Sequence, residues 1–389
     1  MEIIFQLLLF LTAGLLLIPY LLYPFFLIIK SSGEGYNSFS TSKCNFNISI
    51  LISAYNEEKI IEKTIREILK CGYDKGKIEI IIGSDKSEDR TNEILTDLSG
   101  KFSNIKFFPF SVRRGKSAVL NELVEKASGD ILMFTDANTH IHPDAISRLI
   151  QHYSDENVGG VCGRLVLVDE LNTRSSGYEE KNYWDLESKL KKLEGDSGIL
   201  IGANGGIYSI RKNLFQPIPE SYPVMDDFYI SMKVLEQRKK MVYENDAVAE
   251  EDVAPSLKAE FRRKIRNNAI MMSTLKPLKN LLSPSYGLVA FAFWSHKVIR
   301  WFSPVLLLLL FIVNVFLFPV STFYEILFFF QVLFYLLSLS GFLFRTKSFY
   351  PKFLVMPFYF TMTNIAMFIG LFKFLTGTQT SFWQSTPRK

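Results

Sequence analysis

Hydrophobic and polar positions divide the chain into two regimes. Residues 3 to 29 hold no charged side chain, and Gln6 is their only strongly polar one. Three more uncharged runs lie toward the other end: Phe302 to Tyr324, Ile326 to Phe344 and Phe353 to Phe372. Each is about as long as the roughly 20 residues a helix needs to cross a bilayer. A surface helix of a soluble protein keeps one polar face, so these runs predict membrane helices. The first run is too long for a cleaved leader, has no basic stretch before it and shows no small-x-small cleavage site, which predicts a retained anchor over 1–30. Membrane helices are expected again over 301–376, preceded by amphipathic interfacial helices over 255–300 and followed by a tail over 377–389.

From 44 to 254 the pattern is that of a charged globular domain, long enough to bury a core of its own. Phe46 to Ala54 is dense in β-branched residues and reads as a buried strand. Asn56 offers an N-cap, with Glu57 and Glu58 in the first turn of a helix that runs to Lys70 and ends at Gly72. Strands follow at Ile78 to Ile82, Ile105 to Phe110 and Ile131 to Phe134. The helices between them run from Ser87 to Leu98 and from Gly115 to Ala127. This alternation predicts an α/β fold with a doubly wound, mainly parallel sheet. Ligands of such sheets sit beyond the carboxyl ends of the strands.

Charge refines the membrane reading. The 389 residues carry a net charge of +5. Much of the basic excess flanks the apolar runs, at Lys30, Lys43, Arg262, Arg263, Lys264, Arg266, Lys276, Lys279, Lys297 and Arg300. The positive-inside rule then places the central domain on the cytoplasmic side. No compact basic and aromatic module stands out, so nucleic acid is not an expected partner. Arg345, Lys347 and Lys352 fit a return to the inside. A fourth full crossing would leave Arg388 and Lys389 outside, so the last run is either an exception to the rule or re-entrant or interfacial. Cys44, Cys71 and Cys162 form neither a disulfide framework nor a zinc ligand set. They read as reduced structural thiols. Oligomeric state is not legible.

The strand ends carry the candidate chemistry. Tyr55-Asn56-Glu57-Glu58 follows the first strand, Gly83-Ser84-Asp85-Lys86-Ser87-Glu88-Asp89 the second and Thr135-Asp136-Ala137-Asn138 the fourth. No GxGxxG follows the first strand and no GxxxxGK[ST] occurs; Gly115-Lys116-Ser117 lacks the leading glycine of a phosphate loop. Farther on come Gly202-Ala203-Asn204-Gly205-Gly206, Met225-Asp226-Asp227-Phe228 and Arg262-Arg263-Lys264-Ile265-Arg266-Asn267. Over about Asn47 to Asn268 this series resembles the family 2 glycosyltransferases, which have a GT-A fold. The likeness is nearest to the membrane-bound members related to synthases of cellulose, chitin, hyaluronan and poly-N-acetylglucosamine.

The resemblance implies roles residue by residue. Alone, Asp85 reads as a turn aspartate bonding its own backbone. Taken with Asn56, Glu57 and Asp136, it stands where the family holds the base and ribose of a UDP-sugar. Lys116 would reach the nucleotide or its phosphates, unless it is one more solvated lysine beside Arg113 and Arg114. Asp136-Ala137-Asn138 looks like the DxD motif in a DAN variant. A hard cation neutralises a diphosphate leaving group, so Asp136, with Asn138 in place of a second aspartate, is the candidate site for Mg²⁺ or Mn²⁺. His140 and His142 read as structural. The glycine turn at Gly205 lies near sugar and acceptor in the family, or is a plain strand-entry turn. Asp227 matches the family's catalytic base, with Asp226 as alternative or support; the plainer reading is a helix N-cap. Arg263 and Arg266 occupy the place of QxxRW, here RxxRN, so Arg266 would clamp the diphosphate. Asn267 replaces the tryptophan that helps define the acceptor site, which weakens a processive reading. Snorkelling arginines on an interfacial helix are the alternative. Ala54, Ala137 and Gly205 complete the expected nucleotide-sugar contacts.

The expected activity is inverting transfer of a hexose or N-acetylhexosamine from a nucleotide sugar to a glycan or lipid-linked acceptor, among membrane lipids of a bacterial or archaeal cell membrane. The rival enzyme is a polyprenyl-phosphate glycosyltransferase. The rival from another class is a membrane receptor or scaffold that keeps a nucleotide-binding fold without turnover.

Overall fold

The computed structural model describes residues 1–31, 45–168, 176–254, 256–345 and 351–378. Lys43, Cys44, Lys347 and the tail from Trp383 to Lys389 lie outside the described residues. Strands β1 (Ile48–Ala54), β2 (Ile78–Asp85), β3 (Ile105–Phe110), β4 (Ile131–Phe134), β5 (His140–Ile141), β6 (Val158–Val168), β7 (Tyr208–Arg211) and β8 (Lys240–Asp252) form one sheet in the order β3-β2-β1-β4-β7-β6-β8-β5. From β3 to β4 the strands are parallel. Next, β7 runs antiparallel to both β4 and β6, β8 runs parallel to β6, and β5 runs antiparallel to β8. Half of the sheet is thus the expected parallel array, and the other half is mixed.

Period-two patterning explains the two cores. Ile48, Ile50 and Ile52 of β1 point to one face, where they pack with Ile61, Ile65 and Leu95. Leu51 points to the other, against Val119, Leu123 and Leu132. Each such side chain removed from water contributes about 1.5–3 kcal/mol. The limits of β3 and β4 fall where the pattern predicts, whereas β2 continues to Asp85. The helix after β1 starts only at Ile61. Asn56 does not cap it: its backbone is left-handed (φ 54°), and its Oδ1 accepts a bond from the Glu88 N–H. A short polar side chain that tolerates this conformation serves a loop here.

Beyond the sheet, three helices among the described residues are long and apolar enough to cross a membrane: Glu2–Lys30, Thr322–Phe344 and Lys352–Leu375. Leu288–Trp301 and Ser303–Leu317, bent by 63°, make a fourth candidate if the pair is one broken span. The last helix differs from the others. Half of its most apolar window is buried, against 17% and 11% for the first two. It lies alongside the helix Leu257–Leu278: the Asn268 amide donates to Met367 O at 2.7 Å, and a β-carbon at Gly370 would stand 2.7 Å from Ile265 O. The N-terminal helix also docks, burying Tyr23 and Leu27 completely in the core that holds Phe228 and Trp301.

Candidate active site

Strand direction reverses between β4 and β7, and the polar cleft opens there. Four antiparallel pairs, Ile131–Arg211 through Phe134–Tyr208, set the register. Asp136 leaves β4 as Gly205 approaches β7. A β-carbon at Gly205 would stand 3.2 Å from Asp227 Oδ2 and 3.5 Å from Asp136 Oδ2. A methyl here would press on the Asp227 carboxylate and meet Asp136 at ordinary contact distance, so glycine lets both carboxylates close on one backbone position without displacement. The turn is fixed behind it by Gly202 (φ 87°), where a β-carbon would stand 2.5 Å from the Phe228 ring.

Asp226 and Asp227 open the helix Asp226–Glu236, where carboxylates suit the positive end of the helix dipole. Lys116 opens another helix, Lys116–Lys126, and reaches across the cleft. Its Nζ lies 2.7 Å from Asp136 Oδ1 and 2.9 Å from Asp226 Oδ2. Burial works against the Lys116 charge, yet Asp136 and Asp226 hold its ammonium well above the ordinary lysine value. Asp227 is treated oppositely. Burial first, and then the neighbouring Asp226 charge, push its carboxyl up to about 6. Two adjacent carboxyls therefore differ: one is ion-paired, and the other is poised to exchange a proton near neutral pH.

Asp85 accepts the Arg114 N–H at 2.7 Å on one oxygen and the Gly115 N–H at 2.9 Å on the other. It therefore holds the loop that presents Lys116, and its carboxylate also lines the cleft. The cleft, of about 240 Å³, brings together Ala54, Glu57, Asp85, Lys116, Asp136, Ala137, Asn138, Gly205, Asp226, Asp227 and Arg266. Asn56 and Arg263 do not line it. Asn56 is bound to the Ser87–Glu88 loop, and Arg263 pairs with Glu260 at 2.6 Å. His140 and His142 face Glu67 and Glu250 at 2.9 and 3.0 Å, in keeping with a structural role. Cys71 and Cys162 are buried free thiols, pushed by burial up to about 11.

Several lining residues carry no motif of their own. Arg113 stacks its guanidinium 3.7 Å from the centre of the Tyr55 ring, and both line the cleft. Glu220, Tyr222 and Ile270 also line it, as does Asn267 of the RxxRN segment. Tyr208, wholly buried on β7, stacks on Phe134 at 4.9 Å. Burial, then the Asp226, Asp227 and Asp136 charges, hold its hydroxyl well above the usual phenol range. Its only legible signal is its place in a strand that follows the glycine turn. Among the described residues no three His, Cys, Asp or Glu side chains form a complete metal cage. Asp136 and Asn138 offer a carboxylate and an amide oxygen on the cleft wall.

Residues 49–214 match the family model described as glycosyl transferase family 2. The chain is 32% identical over 130 residues to the probable glycosyltransferase YdaM of Bacillus subtilis, covering 32% of this chain and 31% of that one. It is 29% identical over 139 residues to a β-monoglucosyldiacylglycerol synthase of Trichormus variabilis, covering 35% and 28%. It is 37% identical over 117 residues to a poly-β-1,6-N-acetyl-D-glucosamine synthase of Staphylococcus epidermidis, covering 30% and 28%. The chain thus spans less than a third of the length of each of these relatives. Among solved structures it resembles the mannosyltransferase PcManGT from Pyrobaculum calidifontis, solved in complex with GDP-Man and Mn²⁺. The TM-score is 0.70 at 17% identity, over 97% of this chain and 99% of that one. At that identity the likeness is one of fold.

Proposed function

We propose, from the match of residues 49–214 to the glycosyl transferase family 2 model, that the cleft moves a hexose or N-acetylhexosamine from a nucleoside-diphosphate sugar to a hydroxyl of a glycan or lipid-linked acceptor, with inversion. The observation that carries this reading is the meeting of Asp136 and Asp227 over Gly205. One carboxylate serves the leaving diphosphate and the other serves the incoming hydroxyl, so the two must flank a single anomeric carbon.

The residues divide the work. Lys116, Arg266 and Arg113 bring positive charge to the cleft wall, where a diphosphate binds. Asp85 fixes the loop that carries Lys116 and faces the nucleoside. Mg²⁺ commonly uses one or two protein carboxylates together with substrate phosphates, and no all-protein cage. Asp136 with Asn138 fits that donor set. When bound there, Mg²⁺ or Mn²⁺ supplies charge neutralisation to the leaving diphosphate. Asp227 takes the acceptor proton, and a carboxyl near 6 is mostly ionised at neutral pH yet basic enough to do so. Attack from the face opposite the nucleotide inverts the anomeric centre in a single displacement. Basic residues beside the apolar helices support a catalytic domain on the cytoplasmic face.

The test is nucleoside-diphosphate release by the full chain in membranes, with UDP- and GDP-linked sugars and Mg²⁺ or Mn²⁺. Product anomericity is read by NMR. Turnover is expected with at least one donor, to be abolished by EDTA and restored by the cation. Asp136→Ala is expected to lose it. Turnover that survives both EDTA and Asp136→Ala overturns the reading.

A further inference from the structure

One stripe of the helix Ser176–Asp196 touches the membrane-proximal elements on one side and the active-site turn on the other. Glu187, Lys191 and Glu194 lie at i, i+4 and i+7, which places them on one face. All three are buried. On Glu194, the Tyr23 hydroxyl donates to Oε1 at 2.7 Å, His296 Nδ1 lies 2.7 Å from the same oxygen, and the Ile201 N–H donates to Oε2 at 3.1 Å. On Glu187, His296 Nε2 lies at 3.1 Å, Lys297 Nζ at 2.9 Å and an Arg300 guanidinium nitrogen at 3.0 Å. Lys191 donates to Asn204 Oδ1. Asn204 is held in turn by its amide bond to Gly163 O at 2.9 Å. The next residue is Gly205, on which Asp136 and Asp227 converge.

Buried ion pairs are a poor source of stability, since apolar side chains of similar volume usually serve as well or better. A fully bonded polar network does fix one arrangement among several. Here the arrangement joins three parts of the chain: the N-terminal apolar run through Tyr23, the bent segment through His296, Lys297 and Arg300, and the Ile201–Gly206 turn. We infer that Glu187, Lys191 and Glu194 are positioning residues that hold this turn in register with the docked N-terminal run, so that transfer depends on docking through Tyr23 as well as on the cleft itself. The inference rests on the reading of the cleft as the transfer site.

The test compares Tyr23→Phe, Glu194→Gln and their double variant in the full chain, with kcat, donor KM and thermal stability measured. An amide has one acceptor oxygen, so Glu194→Gln sets a donor against either Ile201 or the Tyr23 and His296 pair. Each single change is expected to lower kcat about tenfold, as for one lost hydrogen bond, with donor KM within about twofold. The double variant is expected to be no slower than Glu194→Gln alone, because Tyr23 acts through Glu194. Leu27→Ala, in the same core but outside the polar network, is expected to lower thermal stability and leave kcat unchanged. Normal kcat in Tyr23→Phe, additive losses in the double variant, or an equal kcat loss in Leu27→Ala would each overturn the inference. Tyr23→Phe removes a single oxygen atom, so it decides the matter if Glu194→Gln does not fold. Asp136→Ala and Asp227→Asn run alongside: if both keep turnover, the cleft reading itself has failed.

Discussion

At the scale of single residues, the cleft works by giving similar carboxylates different surroundings. Asp226 is ion-paired with Lys116 at 2.9 Å, while Asp227 is raised to about 6 by burial and by the Asp226 charge. On the proposal that Asp227 is the base, which must be ionised to act, kcat/KM is expected to fall as pH drops through about 6, and Asp227→Asn is expected to lose about 10²–10⁴-fold in kcat while keeping donor affinity. A pH–rate profile checks both. The same shift makes a stability statement. A carboxyl raised in the folded state favours folding below its unfolded value near 4, and that contribution is lost as pH rises through 6. At pH 7.5 Asp227→Asn is therefore expected to be more stable than the parent, by on the order of 1 kcal/mol in thermal or denaturant unfolding. Asp85 makes a contrasting case. Asparagine there retains one acceptor and turns an N–H donor toward the second main-chain amide, so Asp85→Asn is expected to raise donor KM about tenfold and cost about 1–3 kcal/mol of stability. Titration with donor and a melting curve separate the two effects.

At the scale of elements, glycines discriminate between building the cleft and building the fold. Gly202→Ala meets a core ring at 2.5 Å with a left-handed backbone, and is expected to cost about 1–3 kcal/mol of stability. Gly205→Ala meets only carboxylate tips, so kcat is expected to fall tenfold or more with little change in melting temperature. Comparison of the two variants by turnover and melting tests this directly. Elements were legible where pattern and burial agree. Ile105–Phe110 and Ile131–Phe134 are short apolar runs bounded by breakers, and their limits are those expected. Asn56 was misleading, because a residue suited to capping is equally suited to a left-handed loop. The mixed half of the sheet was not legible, because β7 has four residues and its direction depends on β4 and β6, which lie far away in sequence. Asp136, Asp227 and Lys116 were visible as motifs. Their mutual ion pairs were not, nor was the split between Arg266, which lines the cleft, and Arg263, which turns to Glu260 three positions back.

At the scale of the whole molecule, the last apolar helix bears on topology. It runs beside Leu257–Leu278, whose C-terminal end is buried in the same core as Leu371. We read this helix as interfacial, with both of its ends on the side of the folded domain, from its packing along Leu257–Leu278. With Cys44→Ser as background, Pro351→Cys and Gly377→Cys are expected to react with an impermeant maleimide from that side only; labelling from opposite sides would establish a crossing. The β4–β7 ladder has a different reach. Asp136 and Gly205 are neighbours because four backbone pairs lock their strands together, so their separation is indifferent to how much polypeptide is looped out between them. Surface insertions in that excursion are expected to leave the two groups in gauge, provided that β6 and the face bearing Glu187, Lys191 and Glu194 are kept.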